Sequence, residues 1–155
     1  MPQSLVKNYL HIIFSTKLRR PFIYSPFDEK LYSYLGGICK NQDCVPIQIG
    51  GYRDHVHILC LLSKKITLIK FMEDLKTHSS KYMKTLSPDL KDFYWQDGYG
   101  AFSVNPSQVN IVQDYIINQE MHHQKKSFRK EYLSFLKKFE IEYKDEYLFE
   151  FYEDE

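Results

Sequence analysis

His55, Val56 and His57 sit inside an apolar run, His55 to Leu62, whose composition reads as a β-strand. In a strand, residues i and i+2 share a face, so the two imidazoles can converge on one metal ion while Val56 turns into a core. Two neutral imidazoles side by side are costly to desolvate unless something engages their lone pairs. The pattern points to a divalent-metal site, although one His-x-His is by itself also a chance pair.

A second pair of residues gives that metal a task. Tyr115 and Gln119 stand one turn apart in a segment read as a helix from Asn105 to about His123, so they project from one side. If this helix lies beside the histidine strand, Gln119 offers a neutral oxygen ligand and Tyr115 a nucleophile. A phenol near pKa 10 is only about 0.1% ionised at pH 7, so forming the phenolate costs roughly 4 kcal/mol. A cation on a scissile phosphate offsets that by drawing charge from the phosphoryl group. Two imidazoles, an amide oxygen and open positions suit Mg²⁺ or Mn²⁺ better than a closed zinc site. His122 and His123, ahead of Lys125, Lys126, Arg129 and Lys130, read as an exposed basic face. A lone Tyr on an amphipathic helix is usually core or surface, and only the combination of these residues points to chemistry.

The elements that must position these residues follow from local signals. Asn8 to Ser15 is a β-rich run ending in the basic turn Thr16 to Pro21. Ser25-Pro26 with Asp28 and Glu29 marks the start of a helix over about 27–41, with Ser25 as its cap and Leu31, Leu35 and Ile38 buried. Val45 to Gly50 and His55 to Leu62 make an antiparallel hairpin around a turn at Gly51 to Asp54. Thr67 caps the next helix, where Ile66 can staple against Phe71. Tyr99 to Val104 is a fourth strand. Asn105-Pro106-Ser107-Gln108 then opens the Tyr115 helix, with Gln108 placed to close a capping box. A Lys- and Arg-rich helix follows at about 127–138. The order β-α-β-β-α-β, then α-α, predicts an α+β fold of ferredoxin-like (RRM-like) type. Its antiparallel sheet carries helices on one face and C-terminal helices that bear the tyrosine. The open face of such a sheet is a frequent nucleic-acid platform.

Bulk properties agree with one domain over 1–155. Hydrophobic content of 43% with 26% charged residues is that of an ordinary globular chain. The net charge of +1 hides an asymmetry: 139–155 carries eight acids and one base, leaving the body with 20 bases against 12 acids. A basic body with an acidic C-terminal extension suits a polyanionic partner. Cys39, Cys44 and Cys60 share no CxxC spacing and read as buried thiols of a reducing compartment. With neither a signal peptide nor a membrane-length apolar run, the expected location is the cytoplasm, without a membrane partner.

Five segments, in order, carry a closer likeness. They are His11-Ile12-Ile13-Phe14-Ser15-Thr16-Lys17 with Arg20-Pro21; Asp54-His55-Val56-His57-Ile58-Leu59; Lys76 through Ser79-Ser80-Lys81; Trp95 through Val104; and Tyr115-Ile116-Ile117-Asn118-Gln119 with His122 through Phe128. Across nearly its whole length the chain resembles the single-tyrosine HUH transposases of bacterial insertion sequences and their REP-associated relatives. The resemblance implies that Tyr115 attacks single-stranded DNA beside a hairpin, leaving a covalent 5′-phosphotyrosine and a free 3′-hydroxyl. His55, His57 and Gln119 would hold the metal, and a homodimer would complete its sites in trans. Lys17, Arg19, Arg20, Lys76, Lys81, Lys125, Lys126 and Arg129 are candidate DNA contacts, by charge and motif position. Two rival readings are a domesticated or inactive relative that only binds DNA hairpins, and a metallohydrolase using activated water.

Overall fold

Four strands, β1 (Tyr9–Ser15), β2 (Val45–Tyr52), β3 (His55–Leu61) and β4 (Gly100–Ser103), form one antiparallel sheet in the order β2-β3-β1-β4. The computed structural model describes residues 2–149, so Glu150, Glu153, Asp154 and Glu155 of the acidic extension lie outside the described residues. The helices are α1 (Phe27–Asn41), α2 (Leu68–Leu86), α3 (Val109–Ile117), α4 (Gln119–His123) and α5 (Phe128–Lys138). The order is the predicted β-α-β-β-α-β, followed by three helices where two were expected. No helix among the described residues is long and apolar enough to cross a membrane.

Register sorts the strand residues onto two faces. Ser15 pairs with His55, Ile13 with His57 and His11 with Leu59, while Gly50 pairs with His57 and Tyr52 with His55. These residues share one face, and Ile12, Phe14, Val56, Ile58 and Cys60 share the other. The second face meets α1 and α2: Lys76 of α2 lies over the Phe14 ring, and Ile49 reaches Gly36 of α1. Tyr34 and Tyr82 stack 4.1 Å apart between the two helices. The histidine face is covered as well. Phe135 of α5 packs edge-on against His11, and Phe128 of α5 stacks on His55. The sheet is thus enclosed between α1–α2 and α3–α5, and the face expected to be free of helices is filled by the chain's own C-terminal helices. Enclosure on both sides explains why β3 reads as an unbroken apolar run broken only by its two histidines.

One glycine lets this second layer approach, and its neighbour lets the β2–β3 hairpin close. A Cβ on Gly50 would lie 3.1 Å from both the Ile116 side chain and its carbonyl oxygen, so the glycine admits α3 close to β2, beside His57. On Gly51 it would lie 2.2 Å from the His55 carbonyl oxygen, which no side chain can accommodate. Gly50→Ala is expected to lift α3, cost about 1–3 kcal/mol in denaturant unfolding, and slow any reaction that needs Tyr115 in register.

Several boundaries differ from expectation, each for a local reason. Gly51 allows β2 to continue to Tyr52, so the hairpin turn contracts to Arg53 and Asp54, with Arg53 at φ 55°. Ser25 makes no cap; the first amides of α1, at Phe27 and Asp28, donate instead to the Tyr24 carbonyl. Thr67 caps α2 as predicted, accepting from the Lys70 amide. Gln108 closes no capping box, because Asn105 accepts from the Ser107 amide and the segment begins as a short 3₁₀ turn. The single helix expected from Asn105 to His123 breaks at Asn118 (φ −97°, ψ 22°), whose side chain donates to the Asp114 carbonyl. The acidic extension does not detach at its start: Phe149 is buried, 4.7 Å from Tyr132 and 5.9 Å from Phe128.

Candidate metal centre and tyrosine site

His55 and His57 project from β3 with their rings fully buried. Each has its second nitrogen committed. His55 Nδ1 lies 2.9 Å from Asp54 Oδ1, so it carries the proton and leaves Nε2 as the free lone pair. Asp54 is itself clamped by Arg19, whose Nη2 and Nε donate to Oδ2 at 2.9 and 3.2 Å. Burial alone would raise the Asp54 carboxyl, but the hydrogen bond and charge of His55, together with Arg19, hold it below the usual carboxylate range. His57 Nδ1 lies 2.7 Å from His11 Nε2. Burial, with His57 beside it, keeps the His11 imidazole neutral by lowering its pKa. A neutral His11 can accept the His57 Nδ1 proton, which turns the His57 Nε2 lone pair toward the centre.

Arg19 is therefore an internal clamp, although charge and motif position made it a DNA contact. Backbone conformation explains the reversal: Leu18 and Arg19 take φ of 58° and 52°, folding the basic turn back so that the guanidinium points inward. Arg19→Ala is expected to cost about 1–3 kcal/mol, because Asp54 loses its guanidinium partner and keeps only the hydrogen bond from His55. The sign with pH is fixed by the lowered Asp54 carboxyl. Its contribution is complete above the unfolded value near pH 4 and is lost as pH falls below it. Denaturant unfolding from pH 7 to pH 3 should show an acid limb that Arg19→Ala flattens.

The other side of the cluster comes from α3, α4 and α5. The break at Asn118 re-aims Gln119, which is buried with Oε1 3.3 Å from His55 Nε2 and 3.1 Å from His123 Nε2. Glu131 of α5, also buried, sets Oε1 3.1 Å from His57 Nε2, 3.3 Å from His123 Nε2 and 3.5 Å from His55 Nε2. Its Oε2 accepts from the Tyr115 hydroxyl and, at 3.2 Å, from Gln119 Nε2. Burial acts to raise this carboxyl, yet the charge of His57 and the hydrogen bonds of His123 and His57 hold it far below its ordinary value. Tyr115 is half-buried. Burial, then the Glu131 charge and hydrogen bond, push its phenol up, so it is a neutral hydroxyl here.

The donor set itself tests whether a cation fits. His55 Nε2, with its other nitrogen given to Asp54, faces two oxygen acceptors, Gln119 Oε1 and Glu131 Oε1. Lone pairs aimed at one another are reconciled by an added proton or by a cation. His55, His57, His123 and Glu131 each offer a ligand atom within 4.8 Å of the others. The residues present fit a divalent metal.

The structure thus brings four residues singled out from sequence, His55, His57, Tyr115 and Gln119, into one cluster within a single chain. Tyr115 and His57 ring centres lie 6.0 Å apart. Sequence reading missed Glu131 and His11 as members, and it placed His123 on a solvent face. Other expected DNA contacts separate into groups. Lys17 and Arg20 are exposed at the end of β1 nearest His55, and Lys125, Lys126 and Arg129 lie between α4 and the first turn of α5. Lys76 and Lys81 ride on α2, against the opposite face of the sheet. Lys76 donates to the Gln96 and Gly98 carbonyls at 2.8 and 2.7 Å, and burial pulls its amine down to about 8. A cavity of about 310 Å³ opens beside His55, lined by Arg19, Tyr52, Arg53, His123 and Phe128.

Comparison with known proteins gives this geometry a lineage. The family model described as "Transposase IS200 like" matches residues 4–119. The transposase of insertion sequence element IS200 from Salmonella typhimurium is 31% identical over 114 residues, which is 70% of this chain and 74% of the relative. Among solved structures, a candidate transposase from Deinococcus radiodurans R1 superposes with a TM-score of 0.63 at 24% identity, covering 77% of this chain and 98% of that one. A REP-associated tyrosine transposase bound to a REP hairpin matches with a TM-score of 0.59 at 13% identity, over 79% of this chain and 73% of that one.

Proposed function

The chain belongs to the IS200-like transposase family, and from that premise we propose that it cleaves and rejoins single-stranded DNA at hairpin-marked ends through a covalent bond to Tyr115. The observation that carries this reading is the convergence of Tyr115 and Gln119 on the buried His55 and His57, two strands of evidence that the sequence holds 60 residues apart. The hairpin carried by the REP-associated neighbour supports a hairpin substrate here.

His55, His57 and Gln119 would hold a divalent cation, Mg²⁺ or Mn²⁺, which when bound polarises the scissile phosphate. The chain's own residues do the rest. Asp54, clamped by Arg19, and His11 fix the two imidazole orientations. Glu131 holds the Tyr115 hydroxyl and is the nearest group able to take its proton. The Tyr115 oxygen then attacks phosphorus as its proton passes to Glu131, the P–O3′ bond breaks, and the leaving O3′ takes a proton from solvent, giving a free 3′-hydroxyl and a 5′-phosphotyrosine. Because the ester bond is conserved, attack by another 3′-hydroxyl reseals the strand without a nucleotide cofactor. Lys17, Arg20, Lys125, Lys126 and Arg129 would supply contacts to the DNA backbone, and the cavity beside His55 has room for a nucleotide flanking the phosphate. In a homodimer, exchange of α3–α5 between protomers would assemble the same site in trans. A cytoplasmic location would suit a DNA substrate.

The test is incubation with hairpin DNA taken from the sequence flanking the gene, with and without Mn²⁺. A denaturation-resistant protein–DNA adduct formed only with the metal supports the reading. Hairpin binding without an adduct would favour a relative that only holds DNA, and hydrolysis surviving Tyr115→Phe would favour activated water.

A further inference from the structure

Glu131 stands apart from every residue the family relationship addresses. The match to the family model ends at residue 119 and the last segment of likeness at Phe128, whereas Glu131 lies further on in α5. The carboxylate is 1% exposed, and its ion-pair partners among the described residues are His55, His57 and His123. A buried anion surrounded by imidazoles is costly unless a cation joins the group. Oε1 points at the spot where three imidazole Nε2 atoms and Gln119 Oε1 also converge, with distances of 3.1–3.5 Å from Oε1 to the three nitrogens. His123 is held there by a parallel stack on Tyr52, 5.5 Å and 6°. The arrangement is built from both ends.

We propose that Glu131 and His123 are ligands of the divalent metal, so that this chain's centre is a three-imidazole, one-carboxylate, one-amide site and not the two-imidazole, one-amide set that the tyrosine and histidine motifs supply. The inference rests on the metal-assisted reading above. It adds an anionic ligand delivered by α5, and a set richer in imidazole favours Mn²⁺ over Mg²⁺. It also ties the metal to the nucleophile: one carboxylate oxygen faces the cation position while the other holds the Tyr115 hydroxyl.

The experiment is a Mn²⁺ titration of metal-free full-length protein, followed by the electron paramagnetic resonance signal of free Mn²⁺. Wild type should bind one equivalent. Glu131→Gln should bind about tenfold or more weakly, His123→Ala should also weaken, and His57→Ala should lose the site. Glu131→Gln binding as tightly as wild type, or more tightly, while His57→Ala fails would overturn the carboxylate ligand and leave the metal-assisted reading standing. No binding by wild type would overturn both. Because a buried substitution can disturb folding, the wild type provides its own check. With glutamate ¹³C-labelled at its carboxyl, bound Mn²⁺ should show a strong ¹³C coupling, and its absence contradicts the proposal.

Discussion

Replacing Tyr115 by Phe is expected to abolish covalent joining to DNA while the protein still folds and still binds the hairpin. The hydroxyl is the only nucleophilic oxygen set against the histidine cluster from α3, and losing a nucleophile of this kind typically reduces turnover by a factor on the order of 10⁴ or more. Stability should change little, by about 1 kcal/mol, because one hydrogen bond to Glu131 disappears and the ring keeps its stack on His122 at 4.6 Å. Adduct formation on denaturing gels, set beside hairpin binding on native gels, separates the two effects. Equal loss of both would mean that Tyr115 serves binding.

His57→Ala should produce the second largest effect, a fall in cleavage of roughly a thousandfold, corresponding to about 4 kcal/mol of phosphate polarisation. The imidazole is fully buried and touches His11 through Nδ1 and Glu131 through Nε2. Its removal therefore strips a metal ligand and leaves two polar groups facing a void, so destabilisation of about 2–4 kcal/mol accompanies the loss. Omitting the metal from wild type should reproduce the kinetic defect without the destabilisation. Single-turnover cleavage and denaturant unfolding of the same preparations would separate the two contributions.

How much of this was legible in the sequence depended on whether the signal was local. The β3 histidines declared themselves through a period of two in an apolar run, and Tyr115 with Gln119 through one helical turn. The element order fixed the sheet because strand and helix signals alternated cleanly. Glu131 was hidden by its neighbours: α5 opens beside Lys126, Arg129 and Lys130, so its one acid reads as part of a charged, solvated face. Yet Phe128, Tyr132 and Phe135 form one helical stripe, and Glu131 falls within it, an acid on a face that should be apolar. That is the signal a closer reading could have used. His123 was lost to the same basic context, because the break at Asn118 that turns α4 inward depends on a side-chain hydrogen bond. Arg19 was misplaced because two successive positive φ angles, which sequence does not announce outside glycine, reverse its direction.

The central claim is that Tyr115 becomes covalently bonded to a DNA 5′-phosphate, and peptide mapping tests it most directly. Protein incubated with hairpin DNA and Mn²⁺ would be digested with nuclease and trypsin, and the nucleotide-bearing peptide sequenced by mass spectrometry. A single modified peptide with the phosphate on Tyr115 is the expected result. A modification on any other residue, or cleaved DNA with no modified peptide, would contradict it.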